Sequence, residues 1–407
     1  MLRTFIPVIK PKFVFPFSNF GEMMNESAVA TKTLLEIDNY IDNLVKKIEL
    51  LSYVNPINIE AEKEKFFASK YLTDPNFIYP EIDFDKFKLH REFFSQPLEL
   101  IEDDIIRTLY KDIIYAYSGL IQCIETIGEG KKFYYNSLHS FGTPTEQDVE
   151  NAKFILHFPN VDNQELEEPK YDCQQAEAIF RDYSSHYDFT YEIKHSSKMG
   201  AIAMVLNNIK TLVINANHKF SNAEMNILTN HEIGVHMVTT MNGLLHPLKI
   251  FSHGFPNYEE TQEGLAVFSE YMSGNLTVKR LKELAYRVIA VDSLAKGYSF
   301  SKTFRLLHNS YDLNREDSFY ISVRVHRGGG FTKDYLYLSG LKKIYNYYKE
   351  GKDLSLLLTG KVCLDYCDEI KYLMKKNYAV EPKHYTQSFN KNSNTNKTID
   401  FILENLK

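Results

Sequence analysis

The sequence predicts an α+β protein, mainly helical, with a small sheet beside a helix that carries metal-binding side chains. Three observations predict it. Apolar residues recur at spacings of three and four through most of residues 28–184. Residues 188–217 break instead into short runs rich in β-branched and aromatic residues. After Ser221, a helix-start signal leads directly into two histidines and a glutamate.

In chain order, residues 1–27 read as an extended segment. Its opening, MLRTFIPVIKPKFVFPFSNF, is apolar and aromatic, but Lys10, Pro11, Lys12 and Pro16 interrupt it, and it has neither an h-region nor a small-residue cleavage site. Helical spacing begins at 28 with Leu34, Leu35, Ile37, Ile41, Leu44, Val45, Ile48 and Leu51, and Pro56 ends it. Helices are expected over 58–71, 99–126, 145–156 and 173–184, with a Pro-containing connection at 72–92. FTYEIKH, MGAIAMVL and TLVINAN read as strands. Ser221 and Glu224 form S-x-x-E, a capping box, and that helix runs to about Met241, stopped by Asn242-Gly243. Another helix is expected from Tyr258 to Met272. The remainder reads as helical except FYISVRVH at 319–326, which reads as a strand. The Asn-, Lys- and Thr-rich end, 386–407, reads as a weakly ordered tail. The expected organisation is thus one unit over 28–385, mainly helical over 28–187 and bearing the metal site over 188–385.

Composition narrows the function classes. The net charge of −6 over 407 residues, with lysines scattered among acids, does not match a nucleic-acid binder, which would show a basic face. No stretch offers the ~18 uninterrupted apolar residues of a membrane span, so no membrane partner is expected. Four cysteines in so long a chain suit a reducing, cytoplasmic setting. Cys363 and Cys367 lack a second Cys or His pair nearby and read as thiols rather than a metal pair. The 28 Tyr and 28 Phe fit either an aromatic-lined groove or a compositional bias, and composition alone locates no site.

The chemistry concentrates in TNHEIGVHMVTTMNG, where His231, Glu232 and His236 form H-E-x-x-x-H. Metal-binding helices of the H-E-x-x-H type place two histidines four residues apart on one face. Here one residue is added. On an ideal helix, positions five apart diverge by about 140°, against about 40° for positions four apart. The two imidazoles share a cation only if a π-bulge absorbs the extra residue, and Gly234 within the motif would hinder such a distortion least. A distorted turn is therefore expected at 231–236. Catalytic zinc commonly takes a third ligand and keeps one open position. Glu263, in EETQEGLAVFSEY, is the preferred candidate because Gly264 and Ala266 beside it allow close helix approach; Glu259, Glu260 and Glu270 compete. Zinc is the expected cofactor, although ligand type constrains rather than fixes the ion.

HEIGVH followed by TQEGLAVFSEY resembles the QEGLA-motif family, the flavohaemoglobin expression-modulating proteins of bacteria. The same catalytic domain occurs in the microtubule-associated tyrosine carboxypeptidases. RLKELAYRVIAVDSLAKGYSF and RVHRGGGFTKDYLYLSGL are further matching stretches, and the similarity spans roughly residues 30 to 385. The resemblance implies a zincin-like fold, with His231, His236 and Glu263 as metal ligands and Glu232 as the catalytic base. It also implies peptidase activity, with a peptide or protein C-terminal tail as substrate. The eukaryotic members act on tubulin, and that substrate does not transfer to a chain without an obvious microtubule-binding extension.

A carboxypeptidase needs a cation for the terminal carboxylate, and an arginine fork binds it bidentately. Arg324 and Arg327, ahead of Gly328–Gly330, are the candidates, with Lys333 and Tyr335 behind them. If the segment is a strand, Arg324 and His326 share one face and Arg327 takes the other. Two other readings use the same residues: an endopeptidase or aminopeptidase, and a regulatory protein that keeps the fold without turnover. The intact Glu232 speaks against the last.

Overall fold

The computed structural model describes residues 20–159, 168–197, 199 and 201–407, with side chains from residue 31. Among the described residues the protein is mainly helical with one three-stranded sheet. A core of buried side chains runs from Leu34 through the Asp104–Glu125 helix to Leu406, so the N-terminal helices and the metal-motif half share one apolar interior. Phe residues make up most of the largest fully buried side chains among the described residues, and Phe66, Phe300, Phe304 and Phe319 form an aromatic cluster apart from this core. The aromatic content therefore goes largely into packing. Among the described residues, no helix is long and apolar enough to cross a membrane.

The sheet has β1 (Glu192–Ser196), β2 (Ala203–Leu206) and β3 (Thr211–Asn215) in the order β1-β3-β2. β3 is central and inserts Leu212 and Ile214 into a small second core; it pairs parallel with β1 and antiparallel with β2. β2 is thus an edge strand. The expected capping box forms: Ser221 accepts from the Glu224 N–H, and the Glu224 carboxylate accepts from the Ser221 N–H. The helix it starts, called the motif helix here, runs through Asn222–Leu228, Thr229–Met237 and Val238–Gly243. It lies between two apolar layers. Ile233 and Met237 pack on the sheet side, and Val235 joins the main core.

Three readings from sequence need correction. The helix Phe20–Val45 begins inside the segment read as extended, because Glu, Met and Ala after Pro16 favour helix; residues 1–19 lie outside the described residues. FYISVRVH is not a strand but the body of the helix Arg315–His326. Its start signal is Asn314, whose side chain accepts from the Asp317 N–H, and Phe319 and Val323, four apart, bury one face in the aromatic cluster. Tertiary burial overrides the β-branched pattern there. The C-terminal end is not a loose tail. Asn396 caps a helix, Lys397–Asn405, whose Ile399, Ile402 and Leu403 are buried, and Lys407 exchanges backbone hydrogen bonds with the Asn151 side chain. Polar composition concealed that apolar stripe.

Candidate metal centre

The expected distortion occurs where the extra residue demanded it: Thr229–Met237 is π-helix, between α-helical turns on both sides. A π turn leaves backbone carbonyls without their usual partners, and these are satisfied from afar. Thr386 donates to the Gly234 carbonyl at 2.6 Å, and Lys361 Nζ donates to the His236 carbonyl at 2.9 Å. Gly234 also makes room: a Cβ there would sit 2.9 Å from the Tyr183 hydroxyl, which donates to Asn230. Asn242, read as a helix stop, also tethers the C-terminal segment. Its amide donates to the Leu358 and His384 carbonyls, and its oxygen accepts from the His384 N–H.

The π turn brings the two imidazoles together, with ring centroids 4.9 Å apart. Glu263 comes from the helix Tyr258–Met272, which packs against the motif helix. Its close-approach glycine serves a different neighbour from the one expected: Gly264 meets Gly340 of the helix Leu336–Lys349, not the motif helix. His231 Nε2 and His236 Nε2 lie 3.8 and 3.7 Å from Glu263 Oε2, too far for hydrogen bonds. One ligand atom from each of the three side chains lies within 4.8 Å of the others. Glu263 Oε2 is buried and has no hydrogen-bond partner, whereas Oε1 accepts from Lys333 Nζ at 2.7 Å. Donors about 2.1 Å from a shared tetrahedral ion sit roughly 3.4 Å apart. The spacing and the orphaned oxygen therefore fit a bound cation.

Protonation suits the same use. Burial pushes His236 down, to about 4, leaving the neutral ring that metals bind. Burial would raise Glu263, but Lys333 and the two imidazoles outweigh it and hold the carboxyl well below its usual range. For His231, burial is outweighed by Glu263 and Glu270, which raise it to about 9. Its Nδ1 donates to Glu270 Oε1 at 2.9 Å, which leaves Nε2 facing Glu263. Glu270, a competitor for the third ligand position, thus stands behind a histidine. Arg280 orients it in turn, with Nε and Nη2 at 3.1 and 3.2 Å from its two oxygens. Glu232 is buried beside these groups, on the turn that packs against β2; burial pushes it up, to about 7.

The other named candidates sit as follows. Arg324 pairs with Asp334, its Nη2 reaching Oδ1 at 3.0 Å. Arg327 donates to Asn55 and lies 4.0 Å from the same Asp334. Lys333 is on Glu263, and the Tyr335 hydroxyl donates to the Phe141 carbonyl at 2.8 Å. Glu259 lies half-buried near Lys333, and Glu260 holds Ser339 and Lys343. Cys363 and Cys367 are free thiols. Sequence reasoning missed Lys361, Thr386, Arg280 and Arg287. No local signal marks the first two, but the arginines are seven apart in one helical run, Val278–Ala295, a spacing that puts them on one face.

Among solved structures, a lipoprotein of unknown function from Shewanella oneidensis aligns over 71% of each chain, at 14% identity and a TM-score of 0.37, too distant to bear on the site. Nothing among curated proteins matches the chain. The family model for the microtubule-associated tyrosine carboxypeptidases matches residues 64–407, which include every residue of the candidate centre. The chain therefore belongs to the microtubule-associated tyrosine carboxypeptidase family.

Proposed function

We propose that this protein is a zinc-dependent carboxypeptidase of zincin-like fold, which removes a residue from the end of a peptide or protein tail. The observation that carries the reading is the approach of His231, His236 and an unpartnered Glu263 oxygen across a π turn. The family description supports the exopeptidase class, and the QEGLA-like stretch around Glu263 is read as the second half of the metal motif.

His231, His236 and Glu263 would hold the ion. Bound there, zinc supplies Lewis acidity, acidifying a water molecule and polarising a carbonyl. Glu270 and Lys333 fix the orientation of two of the ligands. Glu232 accepts a proton from the attacking water and delivers it to the amine nitrogen as the C–N bond breaks. A carboxyl raised towards neutrality by burial suits a group that must both take and release a proton. Among the described residues β2 pairs only with β3, and an extended chain end would add along this edge strand, which packs against the turn that carries Glu232.

The test combines metal analysis of the purified protein by mass spectrometry with the Glu232→Gln variant. The variant is expected to retain zinc and to lose at least ~100-fold in turnover. Near-normal activity in Glu232→Gln, or a wild-type protein that takes up no zinc, would sink the reading.

A further inference from the structure

Residues 244–257 join the motif helix to the helix that carries Glu263, and Lys361 is set into that loop. The Lys361 N–H donates to the Phe251 carbonyl at 2.7 Å, and the Lys361 carbonyl accepts from the Phe255 N–H at 2.8 Å. Gly360 permits the approach, since a Cβ there would sit 2.3 Å from the Phe251 carbonyl oxygen. With its backbone fixed on the loop, Lys361 reaches both helices with its amine. Nζ donates to the His236 carbonyl at 2.9 Å, to Thr239 Oγ1 at 3.0 Å and to Gln262 Oε1 at 3.3 Å. Thr239 closes the triangle by donating to Gln262 Oε1 at 2.7 Å. This polar knot ties the backbone of one candidate ligand, His236, to the side chain next in sequence to another, Glu263.

The knot is dry. Lys361 is 1% exposed, Thr239 0% and Gln262 2%. A lysine amine carries three donors, and each meets an acceptor, but all three acceptors are uncharged oxygens. Burying a lysine against neutral partners is unfavourable, and a methionine would fill a similar space without that penalty. Packing alone therefore does not account for a lysine at this place. The two helices it links must hold their ligand atoms to within about 0.2 Å for a metal to bind well. One of them is a π turn, whose own hydrogen bonding leaves it less restrained than regular helix.

We propose that Lys361 is a positioning residue for the metal centre: with Thr239 and Gln262 it sets the separation of His236 from Glu263. The assignment rests on the zinc-peptidase reading. Loss of the knot leaves all three ligands present and lets the two helices drift.

The experiment uses full-length wild type, Lys361→Met, Thr239→Val and Thr239→Ser, with Phe304→Leu from the aromatic cluster as a control for general destabilisation. Zinc affinity is measured by chelator competition, coordination geometry by the visible bands of the cobalt(II)-substituted protein, and kcat and KM at saturating zinc. Lys361→Met should weaken zinc about 10- to 100-fold, shift the cobalt bands and lower kcat at least ~10-fold, with KM within about threefold of wild type. Thr239→Val should move the same readouts in the same direction, and Thr239→Ser, which keeps the hydroxyl, should recover most of the affinity. Phe304→Leu should lower Tm without shifting the cobalt bands. Wild-type zinc affinity and cobalt bands in Lys361→Met overturn the inference while the peptidase reading stands. So does a Thr239→Ser protein as impaired as Thr239→Val, or a band shift in Phe304→Leu equal to that of Lys361→Met. If Lys361→Met fails to fold, wild-type affinity and bands in Thr239→Val are the overturning result. A wild-type protein that takes up neither zinc nor cobalt is a different failure, which removes the peptidase reading and this inference with it.

Discussion

Replacing Gly264 by Ala sets two effects of known size against each other. Alanine in place of a mid-helix glycine stabilises a helix by about 1 kcal/mol. Here the added Cβ would lie 2.5 Å from the Gly340 carbonyl oxygen and 2.8 Å from its Cα. Carbon pairs sit comfortably at about 3.5–4.0 Å, so the two helices must part by roughly 1 Å. The obstruction is backbone on both sides, with no flexible side chain to yield. Overpacking of this kind costs about 1–3 kcal/mol, enough to cancel the propensity gain and leave a net loss. The larger consequence falls on the neighbouring residue. Glu263 moves with its backbone, and metal–ligand distances tolerate only about 0.2 Å. Gly264→Ala should therefore lower Tm by a few degrees and weaken zinc binding at least ~10-fold, measured by thermal unfolding and by competition with a chromophoric chelator. A variant more stable than wild type, with unchanged zinc affinity, would refute the claim that Gly264–Gly340 contact positions the ligand.

Glu270→Ala removes the acceptor of His231 and the partner of Arg280 together. It should reduce zinc affinity by about 10- to 100-fold with the ligands intact, and an unchanged affinity would remove Glu270 from the site's architecture. Asp334 gives a pH signature. Burial would raise its pKa, but Arg324, Arg287 and Arg327 outweigh burial and hold it at about 2, against 3.8 unperturbed. Its contribution of about 2 kcal/mol is thus complete above pH ~4 and is lost as pH falls towards 2. Denaturant unfolding of wild type and Asp334→Asn across that window should give curves that converge at the acid end; parallel curves would contradict the pairing.

The motif helix shows how far local pattern reaches. Ser221 and Glu224 fixed its start, and the five-residue spacing of His231 and His236 required a π turn there, because 3.6-residue geometry cannot aim both rings at one point. The helix bearing Glu263 was equally readable, from Tyr258 to Met272. Elsewhere local pattern misled. FYISVRVH alternates like a strand, and only its packing against Phe66 and Phe300 makes it a helix.

The choice of Glu263 over Glu270 shows the division most clearly. Both lie on one helix, seven residues apart, and spacing left them in competition. Their difference is three-dimensional: Glu270 meets Arg280 and the Nδ1 side of His231, while Glu263 faces the Nε2 atoms with one oxygen free. The partners that sustain the π turn, Lys361 and Thr386, lie more than a hundred residues from the carbonyls they hold. Sequence by itself determined the motif helix, the helix that bears Glu263 and the distortion between the histidines, because those follow from spacing and side-chain chemistry along one segment. Which carboxylate faces the two histidines and what satisfies the distorted backbone were decided by tertiary structure. Each depends on groups that only long-range packing brings within a few ångströms.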